Sequence, residues 1–201
     1  MKSSIENRIY NFMDRNIHEL NTRLSTLWVY GKSLFQDVKI GIHCRFMGNM
    51  KFNVANGGKI IIGDGCRFIS QETYNNMGIN HRCIFSVTPA FTDACELIIG
   101  EDCGFSGTSI WCFHKIIIGN HVRCGANTTI MDGDAHFNDK RTSPPKPIVI
   151  EDNVFLGANV VVKKGVTIGA NSVIGMNSIV TKDIPANSVA VGIPCRVIRK
   201  L

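Results

Sequence analysis

Residues 150–185 decide the fold, and in groups of six they read IEDNVF, LGANVV, VKKGVT, IGANSV, IGMNSI and VTKDIP. Each group begins with Ile, Leu or Val, and its fifth residue is Val, Ser or Ile. An amphipathic helix would place apolar residues every three to four positions, and a half-buried strand every second position. A strict period of six fits neither, and it indicates repeat units that stack on one another.

This period predicts an all-β solenoid, a parallel β-helix with three hexads in each coil. The first residue of each hexad points inward, the small fifth residue lies beside it, and Gly or Asn occupies corners where a positive φ is needed. We therefore expect Ile150 under Ile168, Leu156 under Ile174 and Val162 under Val180. A β-sandwich would instead show period-two alternation, which this segment lacks.

The string VFLGANVVVKKGVTIGANSVIGMNSIVTKDIPANSVAVGIPCRVIRK resembles the hexapeptide-repeat acyltransferases, and among them the maltose, galactoside and nodulation-factor O-acetyltransferases. The likeness is close in the C-terminal quarter and looser from about Val38 onward. Its most specific part is the ending TKDIPANSVAVGIPCRVIR. The resemblance implies a left-handed β-helix, a homotrimer and acetyl-coenzyme A as the acyl donor; the period alone implies none of these.

The composition is that of one domain with a mildly basic surface. The chain has 201 residues, and its 22 Lys and Arg against 16 Asp and Glu give a net charge of +6. Such an excess suits an anionic ligand and is too diffuse to indicate nucleic-acid binding. No apolar run approaches the roughly 20 residues that span a bilayer. The polar, charged N-terminus predicts that there is no signal peptide.

The eight cysteines contain no C-x-x-C pair. Cys44, Cys66, Cys83 and Cys103 each follow an Ile by four residues, which is the small fifth position of a hexad. This spacing predicts buried free thiols that pack as small hydrophobes, rather than disulfides or metal ligands. It favours a cytoplasmic protein, where thiols stay reduced.

Residues 1–37 are predicted to form an N-terminal helical cap, with the helix over 3–30 and Gly31 ending it. Apolar residues recur there at spacings of three and four, at Ile5, Ile9, Met13, Ile17, Leu20, Leu24 and Leu27. The helix would cover the open end of the solenoid. An alternative is a membrane-surface anchor built on Trp28, Tyr30, Lys32 and Phe35. The N-terminal motif of maltose-type enzymes is absent, so their sugar specificity is not implied.

Hexads recur over residues 38–201, and the regular count breaks at one place. The hexads IGNHVR, CGANTT and IMDGDA, from Ile118, complete a coil, so the next should open at position 136. Instead the chain reads HFNDKRTSPPKP over residues 136–147. Three prolines without core positions predict a protruding loop, and long loops on compact domains are commonly functional.

His136 at the root of this loop is the predicted general base for acetyl transfer to a hydroxyl, because an imidazole is suited to taking up and releasing a proton near neutral pH. The related transferases carry their catalytic His on a loop at this place. Asp134 would orient the imidazole or hold a substrate hydroxyl, unless it only forms the turn. The remaining histidines of the solenoid are interpreted as structural or exposed: His43, His81, His114 and His121.

The resemblance also implies the contacts to acetyl-coenzyme A. Phe155, Ala158 and Met176 would lie along the pantetheine arm; the family often has Trp and Ala at the first and last of these positions. The adenosine-phosphate end would be bound by Thr181, Lys182, Arg196 and Arg199. The alternative for the three basic residues is a solvated C-terminal charge. We expect the site to be shared, with the His136 loop from one chain and at least part of the Lys182 and Arg196 set from another.

Several functional alternatives stay open. A γ-class carbonic anhydrase shares the β-helix and binds zinc through three histidines, but no matching local context is found, and we predict no metal. A catalytically silent binding solenoid is a third class. Within the acyltransferase interpretation, the acceptor is expected to be a sugar hydroxyl on a glycan precursor. An antibiotic or amino-sugar acceptor, or an acyl group larger than acetyl, is also compatible with the sequence.

Overall fold

The structure, a computed structural model, describes the chain from residue 4 to residue 201, except for the side chains of Ser4, Ile5, Asn7, Ile9 and Tyr10. Helix α1 (Ser4–Ser33) is followed by twenty strands in three sheets, A, B and C, which the chain visits in that order from β1 to β18; β19 and β20 both lie in sheet B. All pairs within the sheets are parallel except the last, between β19 and β20. The molecule is therefore a parallel β-helix with the cross-section of a triangular prism.

The strands are assigned to the three faces as follows. Sheet A contains β1 (Val38–Ile40), β4 (Gly58–Ile62), β7 (Cys95–Ile99), β10 (Lys115–Ile118), β13 (Ile148–Ile150) and β16 (Thr167–Ile168). Sheet B contains β2 (Arg45–Met47), β5 (Arg67–Ile69), β8 (Gly104–Ser106), β11 (Arg123–Cys124), β14 (Phe155–Leu156), β17 (Val173–Ile174), β19 (Ser188–Val191) and β20 (Arg196–Lys200). Sheet C contains β3 (Lys51–Val54), β6 (Ile84–Val87), β9 (Ser109–Cys112), β12 (Thr129–Met131), β15 (Val161–Lys163) and β18 (Ile179–Val180).

The predicted register of the last coils is confirmed. Ile150 pairs with Ile168, Leu156 with Ile174 and Val162 with Val180, and all six side chains are fully buried. The fifth residues of these hexads are buried beside them: Val154, Val160, Val166, Ser172, Ser178 and Ile184. The interior of the solenoid is thus filled by the two hexad positions that the period of six identified.

Asparagines at the corners explain how the chain turns between faces. Asn153, Asn159, Asn171 and Asn177 have φ values of 57–59°, in the left-handed region that Asn tolerates better than most residues. Their side chains also bond along the axis: Asn153 Nδ2 donates to Asn171 Oδ1 at 2.9 Å, and Asn159 Nδ2 to Asn177 Oδ1 at 3.0 Å. One residue type therefore sets both the bend and the stacking of successive coils.

The N-terminal coils are filled by phenylalanines and thiols. Phe46, Phe68 and Phe105 stack in a column with ring-centroid distances of 4.7 and 5.2 Å. All eight cysteines are buried and unpaired, which confirms the packing role predicted for four of them. Hydrogen bonding with Cys103 and burial raise the pKa of the Cys66 thiol to about 12. Such a thiol stays protonated and unreactive.

Helix α1 ends later than predicted. Ser3, its expected start, lies outside the described residues, as do the side chains of Ile5 and Ile9. The expectation that Gly31 ends the helix is wrong, because the helix continues to Ser33. A helical Gly costs only about 0.5–1 kcal/mol relative to Ala. The next turn is held by Lys32 Nζ, which donates to Asn49 Oδ1 at 2.9 Å, and by buried Ser33, whose hydroxyl donates to the Tyr30 carbonyl at 2.7 Å.

One face of α1 covers the first coil of the solenoid. Val29 is fully buried in the core, and Thr26 Oγ1 accepts a hydrogen bond of 3.0 Å from the Phe46 backbone N–H. The Tyr30 hydroxyl donates to the Gly41 carbonyl at 2.5 Å. These contacts satisfy backbone groups of the first coil of the β-helix.

The opposite face of α1 is an exposed apolar stripe, which we call the α1 stripe. Its members are spaced alternately by four and three residues, as at the seam of a coiled coil, and each is more than half exposed: Met13 57%, Ile17 54%, Leu20 57%, Leu24 56% and Leu27 70%. In the part of the chain that the structure describes, no helix is apolar enough over a sufficient length to cross a membrane.

Candidate active site

The coil that begins at Ile118 is interrupted between β12 and β13, where the predicted loop leaves the solenoid. Ile118 pairs with Ile150 across the interruption, so the coils continue in register on either side of it. The loop root is a tight turn, because the His136 backbone N–H donates to the Asp134 carbonyl at 2.9 Å. The His136 carbonyl then accepts hydrogen bonds from the Asp139 N–H and the Thr142 hydroxyl, both at 3.0 Å.

The His136 side chain is exposed and faces an open depression of about 810 Å³ lined by residues 135–140. In the described residues no hydrogen bond reaches the imidazole ring. The pKa of the Asp139 carboxyl is lowered mainly by its hydrogen bond from Arg141, which is 2.6 Å long, and to a smaller extent by the nearby imidazole. An accessible, unengaged imidazole is the arrangement that a general base needs before its substrate arrives.

Asp134 is engaged elsewhere than at the imidazole. Its carboxylate forms an ion pair with Lys164, whose Nζ also donates to the Ser143 carbonyl at 2.9 Å. The hydrogen bond from Lys164 lowers the pKa of Asp134 below its usual value. The pair fastens both ends of the loop to the next coil, so within one chain Asp134 holds the loop that carries His136. Lys164 was not singled out from the sequence, where it reads as one of two corner lysines.

Asp132 is a second residue that the sequence did not single out. It is fully buried, and its carboxylate accepts hydrogen bonds from the backbone N–H groups of Phe113, His114 and Lys115 at 2.7, 2.9 and 2.8 Å. Three donors satisfy a buried charge that would otherwise be costly. Asp132 thereby ties the first residue after β12 to the turn of the preceding coil. Its only signal in the sequence is a charged residue two positions after the core residue Ile130.

Aromatic rings support the loop from below. Phe137, next to His136, packs edge-on against buried Phe113 at 4.9 Å and against Phe91 at 5.3 Å between ring centroids. Phe113 in turn contacts Trp111 at 4.7 Å, and the indole of Trp111 remains 41% exposed. The residue after His136 therefore rests on a packed aromatic cluster, which supports this part of the loop.

The residues predicted for the pantetheine arm lie on sheet B and its edge. Phe155 is in β14 and is 49% exposed, and Met176 follows β17 and is 54% exposed. Ala158 is buried at the corner between them, and its carbonyl accepts the Asn177 N–H at 2.9 Å. A Cβ on Gly157 would meet the Met176 backbone N at 2.6 Å, so only Gly allows these two coils to approach so closely. The result is an exposed apolar strip along consecutive coils.

The predicted phosphate contacts divide between two places. Thr181 and Lys182 are exposed after β18, on the edge between sheets C and A, where the His136 loop also emerges. Arg196 and Arg199 are exposed on β20, which pairs with β19 at the end of sheet B. In each arginine one guanidinium nitrogen donates to a nearby backbone carbonyl: that of Cys195 at 2.8 Å for Arg196, and that of Lys200 at 3.4 Å for Arg199.

Two groups of predicted site residues therefore occupy opposite sides of one chain. In a three-sided prism the edge between sheets C and A lies across from sheet B. His136, Asp134, Thr181 and Lys182 lie along that edge; Phe155, Ala158, Met176, Arg196 and Arg199 lie on or beside sheet B. Within one chain the two groups do not meet. Lys182 shares the His136 edge, whereas Arg196 does not.

Three other histidines lie at local structural positions. His43 and His121 have φ values of 60° and 57° at corners of the coil, and Nδ1 of His81 lies 2.8 Å from the Arg82 carbonyl. Over the residues whose positions are described, no three His, Cys, Asp or Glu side chains are grouped to hold a metal ion.

Comparison with known proteins agrees with this architecture. A family model described as the hexapeptide repeat of succinyl-transferase matches residues 147–182. Galactoside O-acetyltransferase of Lactococcus lactis is 50% identical over 91 residues, 43% of this chain and 44% of the relative. Its namesake in Escherichia coli is 47% identical over 92 residues, 44% of this chain and 45% of the relative. The matched segment thus spans less than half the length of either relative.

A solved hexapeptide-repeat acetyltransferase of Vibrio cholerae, crystallised with acetyl-coenzyme A, matches the whole fold. It is 24% identical, with a TM-score of 0.55 over 100% of this chain and 91% of the other. The predicted left-handed parallel β-helix is confirmed by this likeness together with the three parallel sheets. The repeat, the fold and the matched segments thus make this chain similar to the hexapeptide-repeat acetyltransferases.

Proposed function

We propose that the protein transfers an acetyl group from acetyl-coenzyme A to a hydroxyl of a sugar or glycan precursor, with His136 as general base. The observation that carries this proposal is the exposed imidazole at the root of a loop that two carboxylates, Asp132 and Asp134, fasten to the solenoid. Two galactoside O-acetyltransferases among the relatives support the sugar acceptor. The acetyl-coenzyme A bound to the Vibrio cholerae acetyltransferase supports the donor.

Direct transfer needs little from the protein beyond positioning and proton transfer. The acceptor hydroxyl attacks the thioester carbonyl while Nδ1 or Nε2 of His136 takes its proton. The tetrahedral intermediate then collapses, the carbon–sulfur bond breaks, and the imidazolium returns the proton to the leaving thiolate. Because the thioester is already activated, no covalent enzyme intermediate is needed. Asp134, held by Lys164, acts in this scheme by keeping the loop in place.

The donor would lie along sheet B. Exposed Phe155 and Met176 offer an apolar strip to the pantetheine arm, and the backbone at Ala158 offers hydrogen bonds beside it. Arg196 and Arg199 place two cations at the C-terminal end of the same face, where the 3′-phosphate would bind. Lys182 and Thr181 would approach that phosphate from a neighbouring chain.

The opposite placement of the two residue groups supports a site shared between subunits of a homotrimer. A groove on a single flat face would leave the thioester open to water, whereas a neighbouring prism would enclose it. In this arrangement the edge that carries His136 and Lys182 faces sheet B of the next chain. The α1 stripe provides further apolar surface for self-association, since exposed apolar patches of this kind commonly mark interfaces.

A cytoplasmic location is part of the proposal. Eight buried thiols without a disulfide suit a reducing compartment.

The proposal as a whole is tested by incubating the protein with acetyl-coenzyme A and a panel of sugars, amino sugars and aminoglycoside antibiotics, with products read by mass. Acetylation of a sugar hydroxyl supports it. Acylation of amines alone would show that the acceptor group is an amine and not a sugar hydroxyl. Stoichiometric zinc without binding of coenzyme A would contradict it and favour the anhydrase alternative.

A further inference from the structure

Arginines form a column on the outer face of sheet B, upstream of the proposed donor strip. Arg45 of β2 pairs with Arg67 of β5, which is in register with Gly104 of β8, and Gly104 is in register with Arg123 of β11. Arg123 in turn pairs with Phe155 of β14. With strands about 4.8 Å apart, three steps separate Arg45 from Arg123 by about 14 Å along the solenoid axis.

This column lines a cleft of about 650 Å³. Met47 and Ile69 give its wall an apolar part, Ser106 a hydroxyl, and Phe155 closes the end nearest the donor strip. Gly104 contributes to the space, because a Cβ there would lie 3.1 Å from Cδ of Arg123. Volume and lining are those of a small-molecule site with a few charged groups on an apolar surface.

The cleft carries uncompensated positive charge. Arg45 is neutralised by Glu19 of α1, but the guanidinium of Arg67 forms no hydrogen bond or ion pair within residues 4–201. The Arg123 guanidinium donates only to backbone carbonyls, those of Asp102 and Val122, and so has no acidic partner. One carboxylate, Asp102, also lines the cleft and lies 3.8 Å from His121. Arg67 and Arg123 thus present two guanidinium groups on either side of a glycine.

We propose that this cleft binds an anionic acceptor, a sugar that bears a carboxylate or a phosphate. The guanidinium fork matches either oxyanion in a bidentate manner, and the apolar part of the wall would support the face of a sugar ring. The inference rests on the proposed function, because it assigns the acceptor class of the same enzyme. In the shared site proposed above, sheet B faces the neighbour's His136 edge, so an acceptor at the Arg123 end of the cleft would lie beside Phe155 and face that edge.

The cleft is distinct from the proposed donor contacts. The donor residues extend from Phe155 toward β20, whereas the cleft extends from Phe155 in the opposite direction, toward β2. A phosphate of coenzyme A bound near Arg196 and Arg199 would therefore leave Arg67 unoccupied. The column thus supplies cations that the donor does not use.

The test uses three variants: Arg67→Gln, Arg123→Gln and the double variant. Lys39→Gln, an exposed substitution on sheet A, is the control. Binding is measured by calorimetry with three probes: a sialic acid oligomer for carboxylates, UDP-N-acetylglucosamine for phosphates, and neutral maltotetraose. We expect one anionic probe to bind the wild type at least about tenfold more tightly than maltotetraose, and the double variant to lose about tenfold or more. The Lys39 variant should bind as the wild type does.

Equal binding of all three probes, or unchanged anion binding by the double variant, would overturn the assignment of the cleft. Acetyl-coenzyme A binding, measured in parallel, separates this inference from the proposed function. If the double variant acetylates neutral sugars with unchanged kcat/KM, the assignment of the cleft as the acceptor site is wrong and the proposed acetyltransferase function is retained. If the anionic probe binds through Arg67 but acetyl-coenzyme A does not bind at all, the cleft is an anion site and the proposed acetyltransferase function is wrong.

Discussion

The buried carboxylate of Asp132 accepts a hydrogen bond of 2.7 Å from the backbone N–H of Phe113, across two successive coils. Phe113 in turn packs on Phe137, the residue after His136, at 4.9 Å between ring centroids. One carboxylate therefore fixes both the start of the loop and the ring on which the loop rests. The position of His136 is therefore set by the Asp132 hydrogen bond and by the ion pair between Asp134 and Lys164.

We predict that Asp132→Ala lowers the free energy of unfolding by about 2–5 kcal/mol, because it leaves one buried and two part-buried backbone N–H groups without an acceptor, and a buried one costs roughly 1–3 kcal/mol. Urea denaturation with linear extrapolation measures the change. Asp139→Ala is the control. Its carboxylate pairs with exposed Arg141, and such exposed pairs contribute about 1 kcal/mol or less. A loss at position 132 no larger than that at position 139 would show that the buried network is not stabilising.

Much of the fold could be read from the sequence because one constraint repeats in every coil. The inward positions of residues 150–185 and their register followed from a period of six, and the corner asparagines from their tolerance of positive φ. The position of the loop followed from the count of hexads and from three prolines. Each of these is a local pattern or a sum of local patterns.

The remaining features depend on contacts between coils, which no local pattern encodes. Asp132 and Lys164 appear in the sequence as ordinary polar residues near corners, and their partners lie 19 and 30 residues away. The last turn of α1 after Gly31 is held by Asn49 in the first coil. The separation of Lys182 from Arg196 follows from β20 folding back along sheet B, and the repeat does not predict that reversal.

For the donor, we predict that Lys182→Ala and Arg199→Ala raise KM for acetyl-coenzyme A, because each removes a cation from the proposed 3′-phosphate site. A donor that lacks the 3′-phosphate should be much less affected. Lys39→Ala, on sheet A, is the matched loss of an exposed cation and should leave KM unchanged. Steady-state kinetics with both donors decide the point. Equal losses with the two donors would mean that these residues do not bind that phosphate.

The α1 stripe should contribute to assembly. We predict that Leu20→Glu with Leu27→Glu lowers the oligomeric mass in solution, because two charges in an apolar seam remain unsatisfied when the seam closes. Phe12→Glu is the control, since Phe12 is 68% exposed but lies off the stripe. Analytical ultracentrifugation over a range of concentrations measures both. If Phe12→Glu dissociates the protein as much as the stripe variant does, the stripe has no special role.

Two inactive variants should complement each other if the site is shared. His136→Ala and the double variant Arg196→Ala, Arg199→Ala are unfolded together and reassembled. Mixed oligomers then contain interfaces that combine an intact His136 edge with an intact sheet B, so activity should return. Wild type taken through the same procedure controls for refolding. If the wild type recovers and the mixture does not, each site is built within one chain.

The role of His136 as general base is tested most directly by kcat for acetyl transfer in His136→Ala, measured beside the affinity of the same variant for coenzyme A. Removing a general base typically lowers the rate by about 10²–10⁴-fold, and coenzyme A should still bind within about threefold of wild type, because the base does not hold the donor. Retention of more than about a tenth of the wild-type kcat, with the donor still bound, would contradict the assignment of His136 as the base.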